Sequence, residues 1–373
     1  MLKCPAFLDQ QRIVLRASGK GIDKMRIVDM HCDTIAALYM NRERGNEGGL
    51  RESVHHIDLK KMRQSGYVLQ NFALFVDLGA GKDPWERVQQ YCAYYCQELE
   101  ENRDWIAPVL KFADFERNQV EGKMSALLTV EEGGVCKGQI EKLCKLYEQG
   151  VRMLTLTWNY PNELGYPNVD NNRANLIRQA ARVLSDKERD QAEKAIVNTP
   201  DTERGLTQKG REFVSKMEEL GMIVDVSHLS DAGFYDVLEC TRSPFVASHS
   251  NARAVCPHVR NMTDDMIRRL AERGGVMGLN FASQFLNQKP VYESNPGTVA
   301  AIAEHARHIV NVGGLECLGL GSDFDGINTH QELPDAGCMY RLFDALKAAG
   351  FTESQIDRIF AGNVLRVYRE VLG

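Results

Sequence analysis

Ile27-Val28-Asp29-Met30-His31-Cys32-Asp33-Thr34 is the stretch on which the reading of this chain turns. A short apolar strand runs into a His-x-Asp pair. Side chains alternate across a strand, so His31 and Asp33 point one way and Cys32 the other. An imidazole and a carboxylate side by side at a strand end suit a divalent metal such as zinc. Taken alone, the pair reads equally well as a buried histidine held by a neighbouring aspartate. What the chain brings to the ends of its other strands decides between the two.

Working outward, eight short apolar runs stand out, at 26–29, 71–76, 125–130, 152–157, 222–226, 245–248, 276–280 and 318–321. Nearly continuous apolar character is expected of parallel strands covered on both faces. Amphipathic stretches alternate with them. Residues 85–102 form one, and 140–149 another with Gly150 as its stop; 207–220 is capped by Thr207 and ended by Gly221. Thr263 and Asp264 open a further helix that closes near Gly274, and Thr352-x-x-Gln355 has the capping-box pattern. This alternation predicts a (β/α)8 barrel of the TIM type, one domain over residues 25–373, with a doubly wound open sheet as the alternative. The connection 158–204 is too long for a simple loop, and its 172–197 part reads as a helix pair inserted near the barrel mouth. Residues 1–24 read as an N-terminal extension, either flexible or lying upstream of a start at Met25, without the apolar core of a secretory signal.

Chemistry in such a barrel gathers at the C-terminal ends of its strands. The first run delivers His31 and Asp33, the third Glu131, the fifth His228, the sixth His249 and the eighth Asp323. Three imidazoles and three carboxylates around one mouth suffice for two metals with a carboxylate left over. Two metals about 3.5–4 Å apart, bridged by a carboxylate and a hydroxide, make a strong nucleophile near neutral pH. Glu131 suits the bridge because each of its oxygens can take one metal, and Asp323 suits the group that orients and deprotonates the water. Each residue has a plainer reading: His228 or His249 as a structural histidine, and Asp323 as a helix cap before the turn-like Asp323-Phe324-Asp325-Gly326. Six together at strand ends are far harder to explain that way. His55, His56, His305, His308 and His330 are expected to face solvent.

With these residues assembled, the chain resembles the renal-type membrane dipeptidase family of zinc hydrolases within the amidohydrolase superfamily. The resemblance runs from about Met25 to the C-terminus. It rests on Asp29-Met30-His31-Cys32-Asp33-Thr34, Thr129-Val130-Glu131, Gly150-Val151-Arg152-Met153-Leu154-Thr155-Leu156-Thr157 and Asp225-Val226-Ser227-His228. It continues in Ser248-His249-Ser250-Asn251-Ala252-Arg253, Arg260-Asn261 and Gly321-Ser322-Asp323-Phe324-Asp325-Gly326. The resemblance implies two Zn2+ per subunit, one held by His31, Asp33 and Glu131 and the other by Glu131, His228 and His249. Asp323 then matches the catalytic aspartate and Arg260 the substrate-contacting arginine, a guanidinium suited to a carboxylate or developing oxyanion. Counting back from Gly150 favours Glu131 over Glu132 as the bridge, with Glu132 on the opposite face. Two departures bear on substrate. Trp158, followed by Asn159, stands where mammalian members carry a substrate-binding histidine, and Phe285 where they carry a pocket tyrosine.

The implied activity is zinc-dependent hydrolysis of dipeptides, L-Xaa–D-Xaa included, by a metal-bridging hydroxide. Alternatives are another binuclear-metal amidohydrolase, such as a lactonase, or a non-catalytic small-peptide-binding homologue. Many of the former bridge their metals with a carbamylated lysine on the fourth strand, and 151–157 contains none. A silent homologue is expected to have lost ligands, and none of the six is missing. The net charge of −6 and absence of a long basic run argue against a nucleic-acid partner. No apolar stretch of about 18 residues marks a membrane span. Ten scattered cysteines with no CxxC pair read as reduced thiols of a cytoplasmic enzyme, and a homodimer is expected by analogy alone.

Overall fold

The computed structural model describes residues 25–287 and 297–373, so the expected extension at 1–24 lies outside the described residues. Among these described residues there are nine strands: β1 (Ile27–Asp29), β2 (Tyr67–Phe75), β3 (Ile106–Pro108), β4 (Met124–Glu131), β5 (Val151–Thr155), β6 (Ile223–Asp225), β7 (Val246–Ala247), β8 (Val276–Leu279) and β9 (Leu318–Leu320). Every pairing is parallel. The order β2-β1-β9-β8-β7-β6-β5-β4 is closed by β2 on β4, in register from Leu69↔Ser125 to Phe75↔Glu131. That closing pair makes the sheet an eight-stranded barrel and removes the open-sheet alternative. All eight expected runs fall on barrel strands. β3 was not expected; it lies outside the barrel, pairing Ile106–Pro108 with the lower end of β4 below the point where β5 takes over that edge.

The apolar residues of these strands divide between two sides. Val28, Leu69, Leu127, Met153, Ile223, Val246 and Val276 form one buried cluster with Val364, Leu365, Val367 and Tyr368 of the C-terminal helix Asn363–Leu372. That helix therefore floors the barrel at the N-terminal ends of the strands, and the Asn71 amide on β2 donates to the Tyr368 hydroxyl at 2.6 Å. Burying each large aliphatic side chain here contributes roughly 1.5–3 kcal/mol. The opposite end stays free for chemistry.

Helix ends follow their sequence signals. Asp83 caps Pro84–Glu101 by accepting from the Glu86 amide, and Thr207 caps Gln208–Leu220 by accepting from the Gly210 amide. The Thr352–Gln355 capping box is present. The expected inserted pair is Asn171–Ala181 and Asp186–Asn198. It is tied to the loop after β7, where the Val259 amide donates to the Val197 carbonyl at 2.8 Å. No disulfide joins the nine cysteines among the described residues.

Of the five histidines expected to face solvent, two are buried and three are only partly exposed. His305 is fully buried, its Nδ1 taking the Ala252 amide and its Nε2 facing the Leu286 carbonyl. His330 is buried as well, while His55, His56 and His308 are half-buried. His56 exchanges two hydrogen bonds with Asp325, its amide donating to Oδ1 at 2.6 Å and its Nδ1 accepting from the Asp325 amide at 2.9 Å. Partners from other elements hold the rings of His55, His56, His305 and His308, which no local pattern reveals.

Candidate active site

Parallel strands deliver their C-terminal ends to one rim, so the residues at the end of β4 and just beyond β1, β6, β7 and β9 must converge. His31, Asp33, Glu131, His228, His249 and Asp323 do so. Glu131 Oε2 lies 3.4 Å from His31 Nε2, while Oε1 lies 3.1 Å from His228 Nε2 and 3.4 Å from His249 Nε2. The two oxygens of one carboxylate thus face two separate groups. Asp33 joins the first group at 3.5 Å from His31 Nε2, and Asp323 stands 3.9 Å from the same nitrogen. Ligand atoms of His31, Asp33 and Glu131 lie within 4.8 Å of one another, as do those of Glu131, His228 and His249, and those of His31, His249 and Asp323.

His228 and Asp323 have φ of 71° and 63°, in the left-handed region that non-glycine residues rarely occupy. Such strain costs on the order of 1–3 kcal/mol per residue and persists only where surrounding bonds enforce it. The Asn168 amide holds the His228 carbonyl at 2.9 Å, and the Asp323 amide donates to the His31 carbonyl at 3.2 Å. Asp323 caps no helix, contrary to its plainer reading; the Gly326 amide closes a turn on its carbonyl.

A supporting shell that the sequence reading passed over fixes the ring orientations. Asp29, at the end of β1, accepts from the Ser322 amide and hydroxyl at 2.9 and 2.6 Å, immediately before Asp323. Asp225, at the end of β6, accepts from the Ser248 amide and hydroxyl at 2.8 and 2.6 Å, immediately before His249. One device is used twice: a strand-end aspartate locks the serine that precedes a site residue on a nearby strand. The Ser248 hydroxyl also lies 2.7 Å from His249 Nδ1, Asn159 Oδ1 lies 2.8 Å from His228 Nδ1, and the Asn280 amide donates to Asp323 Oδ2 at 2.9 Å. Such partners set which ring nitrogen faces the site. A legible signal existed in the aspartates that end otherwise apolar runs and the Ser-His and Ser-Asp pairs.

Glu132, beside Glu131, turns away. It accepts from the Gly134 and Trp158 amides and from Asn162, and burial pushes its carboxyl up to about 7. Glu131 is the member of the pair that faces the imidazoles.

The electrostatics fit a cation. Burial raises Asp33 to about 6 and Asp323 to about 7. Burial opposes a charge on His31 too, yet Glu131 and Asp33 outweigh it and hold the ring well above its usual value. Burial and the Arg260 charge bring His228 down to about 4, and burial with the His31 charge depresses His249. His31 Nε2, Asp33 Oδ1 and Glu131 Oε1 are buried without a hydrogen-bond partner. Buried carboxylates converging on unpartnered imidazole nitrogens are costly alone and are satisfied by divalent cations. The all-nitrogen-and-oxygen donor set suits zinc or a neighbouring first-row ion.

Arg260 is also buried. Its Nη2 donates to the His249 carbonyl at 3.3 Å, its Nε is unpartnered, and its guanidinium lies 5.5 Å from the Phe285 ring. Burial lowers its pKa to about 10, so it stays charged at neutral pH. His258, which the sequence reading also omitted, accepts from the Arg260 amide and packs against Phe285. Close approach sets one further requirement, since a Cβ on Gly326 would collide with Asp33 Oδ2 and Asp323 Oδ1. Gly326→Ala is expected to displace both carboxylates and cut activity by about 100-fold, as ~1 Å misplacements do, with an unchanged circular-dichroism spectrum. Full activity in that variant would show that the two carboxylates have room to move.

Comparison with known proteins identifies the family of the chain. The family model described as membrane dipeptidase (peptidase family M19) matches residues 22–186 and 182–372. An uncharacterised protein of the pqqA 5′ region in Klebsiella pneumoniae is 30% identical over 289 residues, covering 78% of this chain and 97% of that protein. An uncharacterised dipeptidase of Schizosaccharomyces pombe is 31% identical over 336 residues, covering 84% of this chain and 72% of that protein. A Rhodobacter sphaeroides metallopeptidase, solved with a phosphinate mimic of the dipeptide L-Ala-D-Ala, superposes with a TM-score of 0.78 at 23% identity, over 93% of this chain and 99% of that one. The match spans the barrel from its first strand to the helix that floors it, and the chain belongs to the membrane dipeptidase family, peptidase family M19.

Proposed function

We propose that this metallo-dipeptidase works with two zinc ions and cleaves dipeptides that include L-Xaa–D-Xaa. The observation that carries the reading is the division of Glu131, whose Oε2 faces His31 and whose Oε1 faces His228 and His249. His31, Asp33 and Glu131 would hold one ion; Glu131, His228 and His249 would hold the other. Bound there, the ions would polarise the scissile carbonyl and lower the pKa of the attacking water. The remaining work falls to side chains. Asp323, oriented by Asn280, takes the proton of the attacking water and returns it to the leaving amine. Arg260 receives the substrate carboxylate, for which a buried, unpartnered Nε and a retained charge prepare it. The Rhodobacter sphaeroides protein, of the same fold, is liganded with an L-Ala-D-Ala mimic, which supports a D-residue at the carboxyl end.

The test is hydrolysis of a panel of L,L- and L,D-dipeptides by protein titrated with zinc. Turnover is expected to rise with zinc and saturate at two equivalents per chain, with L,D members among the substrates. Saturation at one equivalent would remove the two-ion reading, and absence of turnover on every dipeptide would remove the substrate class. No helix among the described residues is long and apolar enough to cross a membrane.

A further inference from the structure

The rim carries a feature that the clustered residues do not use. Phe75 closes β2 opposite Glu131, its register partner on β4, and Trp158 follows β5. The Trp158 and Phe75 rings meet edge-on with centroids 4.7 Å apart, and Trp158 lies 6.1 Å from Tyr160 and 6.2 Å from His228. All three aromatic residues are half-buried. Edge-on aromatic pairs are common in closed cores, but this group stands at an open barrel mouth, against an imidazole of the cluster. Aromatic side chains that keep part of their surface open beside such a cluster are suited to line a ligand pocket.

The wall is held in place. The Trp158 amide donates to the buried Glu132 carboxylate at 3.1 Å, and the Asn162 amide group grips the same carboxylate. Asn159, next in the chain, is bonded to His228 Nδ1 at 2.8 Å, so the loop does not swing without releasing that ring. Tyr160 reaches across to the loop after β2, where a Cβ on Gly79 would collide with its hydroxyl. Loops from two strands are thereby joined into one surface.

Its position relative to Arg260 gives it a role. Around the barrel the strands run β1, β2, β4, β5, β6, β7, β8, β9. The wall rises from the β2 and β5 loops. Arg260 follows β7 and Phe285 follows β8, on the facing arc, with the Glu131 cluster between. A dipeptide whose carboxylate sits at Arg260 and whose amide lies over the cluster extends its amino-terminal residue toward the wall. We propose that Phe75, Trp158 and Tyr160 form an apolar subsite for the side chain of that first residue, and that they select bulky apolar side chains, aromatic ones above all. The proposal rests on the dipeptidase reading given above. Discrimination per methylene in such a pocket is roughly 10-fold or more.

The test compares wild type, Trp158→Ala and Trp158→Phe on Gly-Ala, Leu-Ala and Phe-Ala and on the reversed set Ala-Gly, Ala-Leu and Ala-Phe. Wild type is expected to show kcat/KM rising at least tenfold from Gly-Ala to Phe-Ala, with a smaller spread across the reversed set. Trp158→Ala should cut the Phe-Ala to Gly-Ala ratio at least tenfold, and Trp158→Phe should keep most of it. An equal loss on all six substrates, or a preference that follows the second residue, overturns the subsite. A binding arm separates this from the parent reading: Asp323→Asn protein is titrated with Phe-Ala and Gly-Ala while tryptophan emission is followed. Phe-Ala should bind at least tenfold more tightly, and adding Trp158→Phe should remove the emission change. If wild type hydrolyses none of the six but this binding difference is present, the dipeptidase reading falls and the subsite stands. Equal binding of the two peptides overturns the subsite whatever the hydrolysis shows.

Discussion

Asp323→Asn is expected to lower kcat by roughly 10²–10⁴-fold, the range typical of a lost general acid–base group, while the protein keeps its metal and its fold. Asparagine is the informative replacement for a backbone reason as well as an isosteric one. Asp323 sits at φ 63°, where asparagine is tolerated and alanine adds strain. The Asn280 amide that donates to Oδ2 would still meet an oxygen in one orientation of the new side chain. What is lost is the capacity to take a proton. In wild type the carboxyl, raised by burial to about 7, must be ionised to accept that proton, so activity falls on the acid side. Bound cations favour the ionised form, so the acid limb of kcat/KM should lie at or below about pH 7, never above it. Metal analysis and a pH profile check both parts. Activity within tenfold of wild type in the variant would place the base elsewhere.

The parts of this molecule legible in the sequence are those set by strong local rules. A parallel strand covered on both faces needs apolar residues throughout, so the eight barrel runs stand out, and their last residues follow. β3 escapes because Ile106–Pro108 has three residues, ends in proline and is buried only at its first position. His305 reads as an exposed helical residue until the Ala252 amide and the Leu286 carbonyl arrive from other elements. Arg260 and His258 lie in a loop with no periodicity, and their burial depends on Phe285 and on the β7 and β8 loops packing around them. The Asp29–Ser322 and Asp225–Ser248 locks join residues far apart in the chain, so only the topology makes each pair visible.

Glu131→Gln should have the other large effect, because one side chain serves both halves of the cluster. A glutamine of the same volume keeps one oxygen and turns the other into an amide donor, which must face either His31 or the His228–His249 pair. Whichever half it faces loses an anionic ligand. At least one equivalent of bound metal should be lost, and kcat/KM should fall about 10²–10⁴-fold, since Lewis-acid stabilisation is worth several kcal/mol and each factor of ten is about 1.4 kcal/mol. Replacing Asp225, which reaches His249 through Ser248 and Ser227 rather than directly, should cost less, about 10–100-fold in metal affinity. Stability should separate the variants independently of turnover. Zinc at about 1,000 times its Kd stabilises a native state by about 4 kcal/mol per site, so wild type should melt higher with zinc than with chelator, and Glu131→Gln should show a smaller rise. Metal uptake must displace the proton held on His31, which Glu131 and Asp33 keep well above its usual pKa against the effect of burial. Affinity should therefore strengthen as pH rises, and less steeply in Glu131→Gln, where the anion opposite His31 is gone. If Glu131→Gln instead retains two equivalents of zinc and wild-type turnover, the two oxygens of Glu131 do not bridge two ions.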